Sequence, residues 1–177
     1  PSLHPGRSAS VFVNGQRVGD FGELHPVVAR QIEWEGAPLY VGERANATGS
    51  KKFREALLAE NLDAAFDLLT EQDEGVAHVL DLSVAYAGRD ELADMSTLTA
   101  RAGRECRLPI MVDSTQLDVV EAALKLHGGR MLVNSINFES GEEKAEKLVA
   151  LAKQFGAGLV ALTIDEVGMA MTADRKV

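Results

Sequence analysis

The 177-residue chain has the size of one ordinary domain, and 46% apolar with 25% charged residues is the usual balance of a globular protein. Eighteen Lys and Arg against twenty-seven Asp and Glu give a formal charge of -9, which disfavours a nucleic-acid role, since a phosphate backbone calls for a concentrated basic footprint. Cys106 is the only cysteine, which excludes an intrachain disulfide or a Cys-rich metal site. With no signal-like start and no stretch near the roughly 20 apolar residues of a bilayer span, the expected setting is cytoplasmic and away from membranes.

Residues 1–38 differ from the rest. PSLHPGRSAS is turn-rich, VFVNGQRVGDF reads as a short hairpin turning at Asn14–Gly15, and HPVVARQIEWEG reads as a short helix with Pro26 in its first turn, ending at Gly36. We read this segment as an extension or linker outside a main domain of residues 39–177. From Leu39 a strand–helix rhythm begins. LYVGE is a short apolar run; two helices follow, with Phe53, Leu57, Leu58, Leu62, Ala65, Phe66 and Leu69 at helical spacing and Ser50 and Asn61 as N-caps. AHVLDLSVAY is a buried strand, ELADMSTLTARAGRE a helix and LPIMVDST another strand. TQLDVVEAALKLHGG reads as a helix with Thr115 and Asp118 in an acidic variant of the capping box, ending in a left-handed residue at Gly128–Gly129. RMLVNSIN is a strand. SGEEKAEKLVALAKQFG is a helix with Ser140 and Glu143 at capping-box spacing and a stop at Gly156, and GLVALTIDE is the last strand.

VLDL, IMVD, MLVN and LVALTID are nearly continuous apolar runs, as strands covered on both faces are, so the alternation favours a parallel sheet. Periodicity alone leaves open whether that sheet closes into a barrel. Each run ends in a polar residue: Glu43 and Asn46, Asp81, Asp113, Asn134 and Asp165. In an α/β sheet such residues converge at the carboxyl ends of the strands, where ligands bind. Singly, each has a plainer reading: Asp113 as a helix cap beside Ser114 and Thr115, Asn134 and Asn137 as turn residues, Glu43 as a surface residue. Asp81 is harder to dismiss, because a carboxylate flanked by apolar residues needs a partner.

Carboxylates accept paired hydrogen bonds from adjacent N–H groups, and an Asn amide offers a donor and an acceptor, a combination that matches the edge of an aminopyrimidinone heterocycle. Magnesium held by Asp81, Asp113 and Asp165 is the competing reading on composition. No His sits beside a nucleophile: His78 opens a strand, and His127 closes a helix, where a positive charge would be favoured. Cys106 reads as structural. GERANATGSKK lacks the spacing of a phosphate-binding loop.

At these residues the chain resembles a known family. VGERANATGSKKFREALL, HVLDLSVAYAGRDELADM, LPIMVDST, GGRMLVNSINFESGEE and ALTIDEVGMAMTADRK are similar, in order and over about residues 39–177, to the pterin-binding (methyltetrahydrofolate) domain of cobalamin-dependent methionine synthases, in the dihydropteroate synthase-like superfamily. The resemblance implies an α/β fold, a (β/α)8 TIM barrel of which about the first five units are present. It implies 5-methyltetrahydrofolate at the strand ends, Asp113 and Asn134 in contact with the pterin and carrying the catalytic roles, Glu43, Asn46, Asp81 and Asp165 completing the binding set, and no metal. The implied reaction moves the N5 methyl group to cob(I)alamin and, in the full enzyme, to homocysteine, giving methionine. Separate cobalamin-binding and homocysteine-binding domains are then the partners.

Two departures from the family pattern stand out. Ala45 replaces the Thr of the usual GERTN, and DLSVAY replaces DVNVDY, so that Ser83 stands for an Asn and Ala85 for an Asp, removing two polar groups near the mouth. Five units cannot close an eight-stranded barrel, so the chain is expected to be part of a longer product or to persist only in association, with little methyl transfer alone. A dihydropteroate synthase-like enzyme of folate synthesis and a non-catalytic pterin-binding fragment remain the alternatives; GERAN and LTIDEVGMA favour the methyltransferase branch.

Overall fold

The computed structural model describes residues 3–13, 16–24 and 39–176. β1 (Leu3–Val13) and β2 (Gln16–Leu24) form an antiparallel hairpin with Val13 opposite Gln16. The expected hairpin is thus present and longer than VFVNGQRVGDF, reaching back to a Leu3–Leu24 pair. Its turn residues, and the helix expected within residues 25–36, lie outside the described residues.

The main domain runs β3 (Val41–Asn46), α1 (Lys51–Leu58), α2 (Leu62–Asp73), β4 (Val79–Ser83), α3 (Glu91–Glu105), β5 (Ile110–Asp113), α4 (Leu117–Leu126), β6 (Leu132–Ile136), α5 (Glu142–Phe155) and β7 (Gly158–Ala161). β3 to β7 form one parallel sheet in sequence order. A doubly wound sheet reverses its strand order at a switch point, whereas a barrel adds each strand beside the last, so the order is that of a partial TIM-barrel-like fold. The sheet does not close: β3 and β7 are its two edges.

The helices cover one face of the sheet because their apolar stripes have nowhere else to be buried. Leu80, Leu82, Ile110, Val112 and Val133 pack with Phe53, Leu57, Phe66, Leu69, Met95, Leu98, Val120 and Ala123 in one continuous core. β4 is buried along its whole length, while every residue of β7 is only partly buried. Among the described residues no helix is long and apolar enough to cross a membrane.

Several ends form as the sequence predicts. Ser50 Oγ accepts from Phe53 N at 3.3 Å and Asn61 Oδ1 from Ala64 N at 3.0 Å, and Gly156 closes α5 at φ 66°. Others do not. α4 is capped by Gln116 without a side-chain bond: Ser114 Oγ accepts from Gln116 N, and Asp118 accepts from Val119 N, so the Thr115–Asp118 box is not made. α4 ends in an extended His127 instead of a left-handed glycine. The N-cap of α5 is Gly141, at φ 85°; Ser140 makes no cap bond, and Glu143 pairs with Lys147 instead. The last strand stops at Ala161. Asp165 belongs to a separate small hairpin of β8 (Ile164–Asp165) and β9 (Gly168–Met169), followed by the short helix α6 (Ala173–Lys176).

Candidate functional site

β3, β4, β5 and β6 end level with one another: Asn46 pairs with Ser83, and Asp113 with Asn134. Parallel strands in register carry their terminal side chains to one rim, and a buried polar group there needs a partner. Asn46 Nδ2 donates to Asp81 Oδ2 at 3.3 Å and lies 3.5 Å from Asp113 Oδ2. Asn134 Nδ2 donates to Asp81 Oδ1 at 3.4 Å. An amide NH2 facing a carboxylate is the orientation the charges require. Four of the six expected site residues are therefore joined in one amide–carboxylate network.

The members differ in exposure. Asp81 is 1% exposed, whereas Asp113 and Asn134 are only partly buried. Burial and then the Asp113 charge push the Asp81 carboxyl up to about 6, against the lowering effect of the Asn46 and Asn134 bonds. Asp113 is also raised, mainly by burial, with the Glu43 and Glu91 charges adding to it; the neighbouring Ser83 hydroxyl works the other way. Asn46 is used at both ends, since its Oδ1 accepts from Thr48 N, Thr48 Oγ1 and Gly49 N.

Glu43 stands slightly apart. The register of β3 against β4 shifts between Gly42 and Ala45, and Arg44 N leaves the ladder to donate to Gln72 Oε1 at 2.7 Å. A Cβ on residue 42 would lie 2.6 Å from that oxygen, so glycine is needed for the approach. In this bulge Glu43 is exposed and acts on Asp81 and Asp113 through its charge. Asp165 Oδ1 accepts from Val167 N at 2.9 Å within the β8–β9 hairpin, whose Ile164 carbonyl accepts from Phe138 N. Asp165 thus belongs to a hairpin that is bonded to the loop after β6.

A concavity of about 750 Å³ flanks the rim between the loops that follow β4 and β5, lined by Tyr86, Arg89, Glu91, Leu92, Gln116 and Asp118. Glu91 accepts from Ser114 Oγ and Gln116 Nε2, tying those two loops together beside Asp113. Arg89 is held by Asp94 and Glu60. The sequence singled out neither Glu91 nor a role for Ser83; an acid in the first turn of a helix reads as ordinary, and Ser83 reads as a loss. Among the described residues no group of three His, Cys, Asp or Glu side chains is placed to hold a metal ion.

His127 overturns one expectation. Burial lowers its pKa, and its Nδ1 is buried without a hydrogen-bond partner, so the neutral ring is favoured despite the helix end. Cys106 packs against the core with burial raising its thiol to about 11, which keeps it protonated.

Residues 42–177 match the family described as Pterin binding enzyme. Residues 1–43 match a second family, described as Phenylalanyl tRNA synthetase beta chain CLM domain, over the hairpin segment. The chain is 47% identical over 146 residues, 81% of its length, to a methionine synthase of Mycobacterium tuberculosis, and 47% identical over 142 residues, 78% of its length, to a methionine synthase of Mycobacterium leprae. It spans 12% of the length of each of these relatives.

Proposed function

The chain belongs to the pterin-binding enzyme family, and from that premise we propose that it is the folate module of a methionine synthase, holding 5-methyltetrahydrofolate so that its methyl group passes to cob(I)alamin and then to homocysteine. The observation that carries this reading is the network of Asn46, Asp81, Asp113 and Asn134 at the rim of the sheet. In this reading residues 39–177 are the working domain and residues 1–38 an extension to it, and the setting is cytoplasmic.

Division of labour follows from exposure and free bonding capacity. Asp113, half-buried, receives the paired N–H groups of the pterin edge. Asp81, buried beneath the rim, aims the two amides by accepting from each. Asn46 is saturated and holds the first loop in place, whereas Asn134 donates one N–H to Asp81 and keeps a second N–H and its carbonyl oxygen for the ligand. Glu43 and Asp165 complete the contact set from the bulge of β3 and the β8–β9 hairpin.

An amine is a poor leaving group, so the folate N5 must gain a proton or a strengthening hydrogen bond as its bond to the methyl carbon breaks. Asn134 supplies an N–H near neutrality without exchanging a proton, and its own fixed geometry makes that bond cost little reorganisation in the transition state. The rim itself offers carboxylates and amides, and of the main domain's histidines His78 lies ahead of β4 and His127 after α4. This chain therefore does not fit cobalamin as a ligand; the acceptor is presented by a separate cobalamin-binding domain, with a homocysteine-binding domain as the further partner. When bound there, reduced cobalamin supplies the nucleophile.

Calorimetric titration of the chain with 5-methyltetrahydrofolate tests the binding half of the proposal. Saturable binding, weakened roughly 10- to 100-fold by Asp113→Asn and untouched by Lys147→Ala on the exposed face of α5, supports it; absence of saturable binding overturns it. In the longer enzyme, Asp113→Asn is expected to slow the formation of tetrahydrofolate from the methylated substrate.

A further inference from the structure

The register of the sheet sets Ser83 beside Asp113. Leu82 lies opposite Val112 across β4 and β5, so one step nearer the rim Ser83 comes level with Asp113. Along β4, residues two apart share a face, which places Ser83 on the same side as Asp81 and the rim network. Ser83 is 5% exposed, and its backbone carbonyl accepts from Ala47 N at 2.8 Å, which fixes the residue against the first loop. Its side chain therefore stands beside the Asp113 carboxylate, whose charged form it favours. The other donor facing that carboxylate, Asn46 Nδ2, stands off at 3.5 Å and is closer to Asp81. Burial and the Glu43 and Glu91 carboxylates all oppose a charge on Asp113. The serine hydroxyl is thus the neighbour that favours the charged form.

We propose that Ser83 is a positioning residue, a buried hydroxyl that orients the Asp113 carboxylate and holds it ready to receive ring N–H groups. The inference rests on the reading of Asp113 as the pterin contact. It reverses the expectation that a serine at this position merely removes a polar group from the mouth. A hydroxyl donates to a neighbouring carboxylate and has a free choice of rotamer, whereas an alanine leaves Asp113 with only the distant amide.

Two measurements on the full chain, each with Ser83→Ala and Ser83→Thr, test it. The titration of the Asp113 carboxyl carbon by NMR in the ligand-free chain reads the hydrogen bond itself, and backbone amide spectra report whether each variant is folded. Binding of 5-methyltetrahydrofolate across mildly acidic to mildly alkaline pH reads its use. Ser83→Ala is expected to raise the Asp113 midpoint by about one pH unit, and to weaken binding on the order of tenfold on the acid side with a smaller loss on the alkaline side. Ser83→Thr restores both. An Asp113 midpoint that does not move in Ser83→Ala overturns the inference, as does a loss of affinity equal at every pH that Thr fails to restore. Should the midpoint move while the unaltered chain binds no folate, the functional reading fails and the role of Ser83 in binding falls with it.

Discussion

At the scale of single residues, Asn134 shows how a hydrogen-bond pattern assigns roles that residue type does not. Asn46 and Asn134 both donate to Asp81, but Asn46 is also used on its oxygen side by Thr48 and Gly49. Asn134→Ala therefore removes free ligand-binding capacity together with one bond to Asp81, and is expected to weaken 5-methyltetrahydrofolate roughly tenfold in a titration. Asn46→Ala is expected to act differently, by loosening the first loop. Its effect should register as earlier thermal unfolding as well as weaker binding, because three donors of the loop lose their acceptor. A titration in which Asn134→Ala binds as tightly as the unaltered chain would remove Asn134 from the contact set.

Among the elements, the joint between α2 and β5 depends on one side chain. Asp73, near the end of α2, accepts from Arg107 N at 3.0 Å, Leu108 N at 2.8 Å and Arg107 Nε at 3.3 Å, and so satisfies the backbone that leads into β5. Because Asp113 closes that strand, its placement depends on this anchor. Asp73→Ala is expected to cost about 1–3 kcal/mol in urea unfolding, since two partly buried backbone N–H groups and the Arg107 guanidinium lose their acceptor. Asn61→Ala, by contrast, removes a single cap bond at the exposed start of α2, with an expected cost of about 1 kcal/mol. If the two variants unfolded at the same urea concentration, the anchoring role of Asp73 would be wrong. The turn between α1 and α2 is made by Glu60 at φ 55°, with no glycine to announce it.

For the whole molecule, the rim sets a pH dependence whose sign follows from Asp81. Its carboxyl is raised from 3.8 to about 6, so between these values the folded chain binds more protons than the unfolded one, and stability falls as pH rises through that window. The cost, on the order of 2–3 kcal/mol, is complete above about pH 6. Asp113 contributes in the same direction. His127 opposes it, because its lowered pKa makes the folded form lose stability as pH drops below the ordinary histidine value. Comparing the unaltered chain with Asp81→Asn isolates the first effect. The asparagine variant should lose less stability between pH about 4 and about 7, as read by denaturant midpoints. Equal pH slopes for the two would show that Asp81 ionises without penalty.

What the sequence determined by itself was the alternation of elements and the identity of the rim. Apolar runs of strand length followed by capped amphipathic helices specify a parallel sheet through local periodicity, and a polar residue closing each run points to the carboxyl ends. The exact span of α3 and the Ser50, Asn61 and Gly156 ends were legible because each depends on residues within one turn. The caps of α4 and α5 were not: Ser114, held by Glu91 from 23 residues away, takes Gln116 N and moves the start of α4 past Thr115, and α5 starts from Gly141 in place of Ser140. Tertiary structure alone decided that Asp81 lies beneath the rim and Asp113 on it, that Asp165 sits on a separate hairpin, and that Ser83 comes level with Asp113. Each of these depends on the register between strands, and register arises from packing across the whole sheet, which no stretch of adjacent residues encodes.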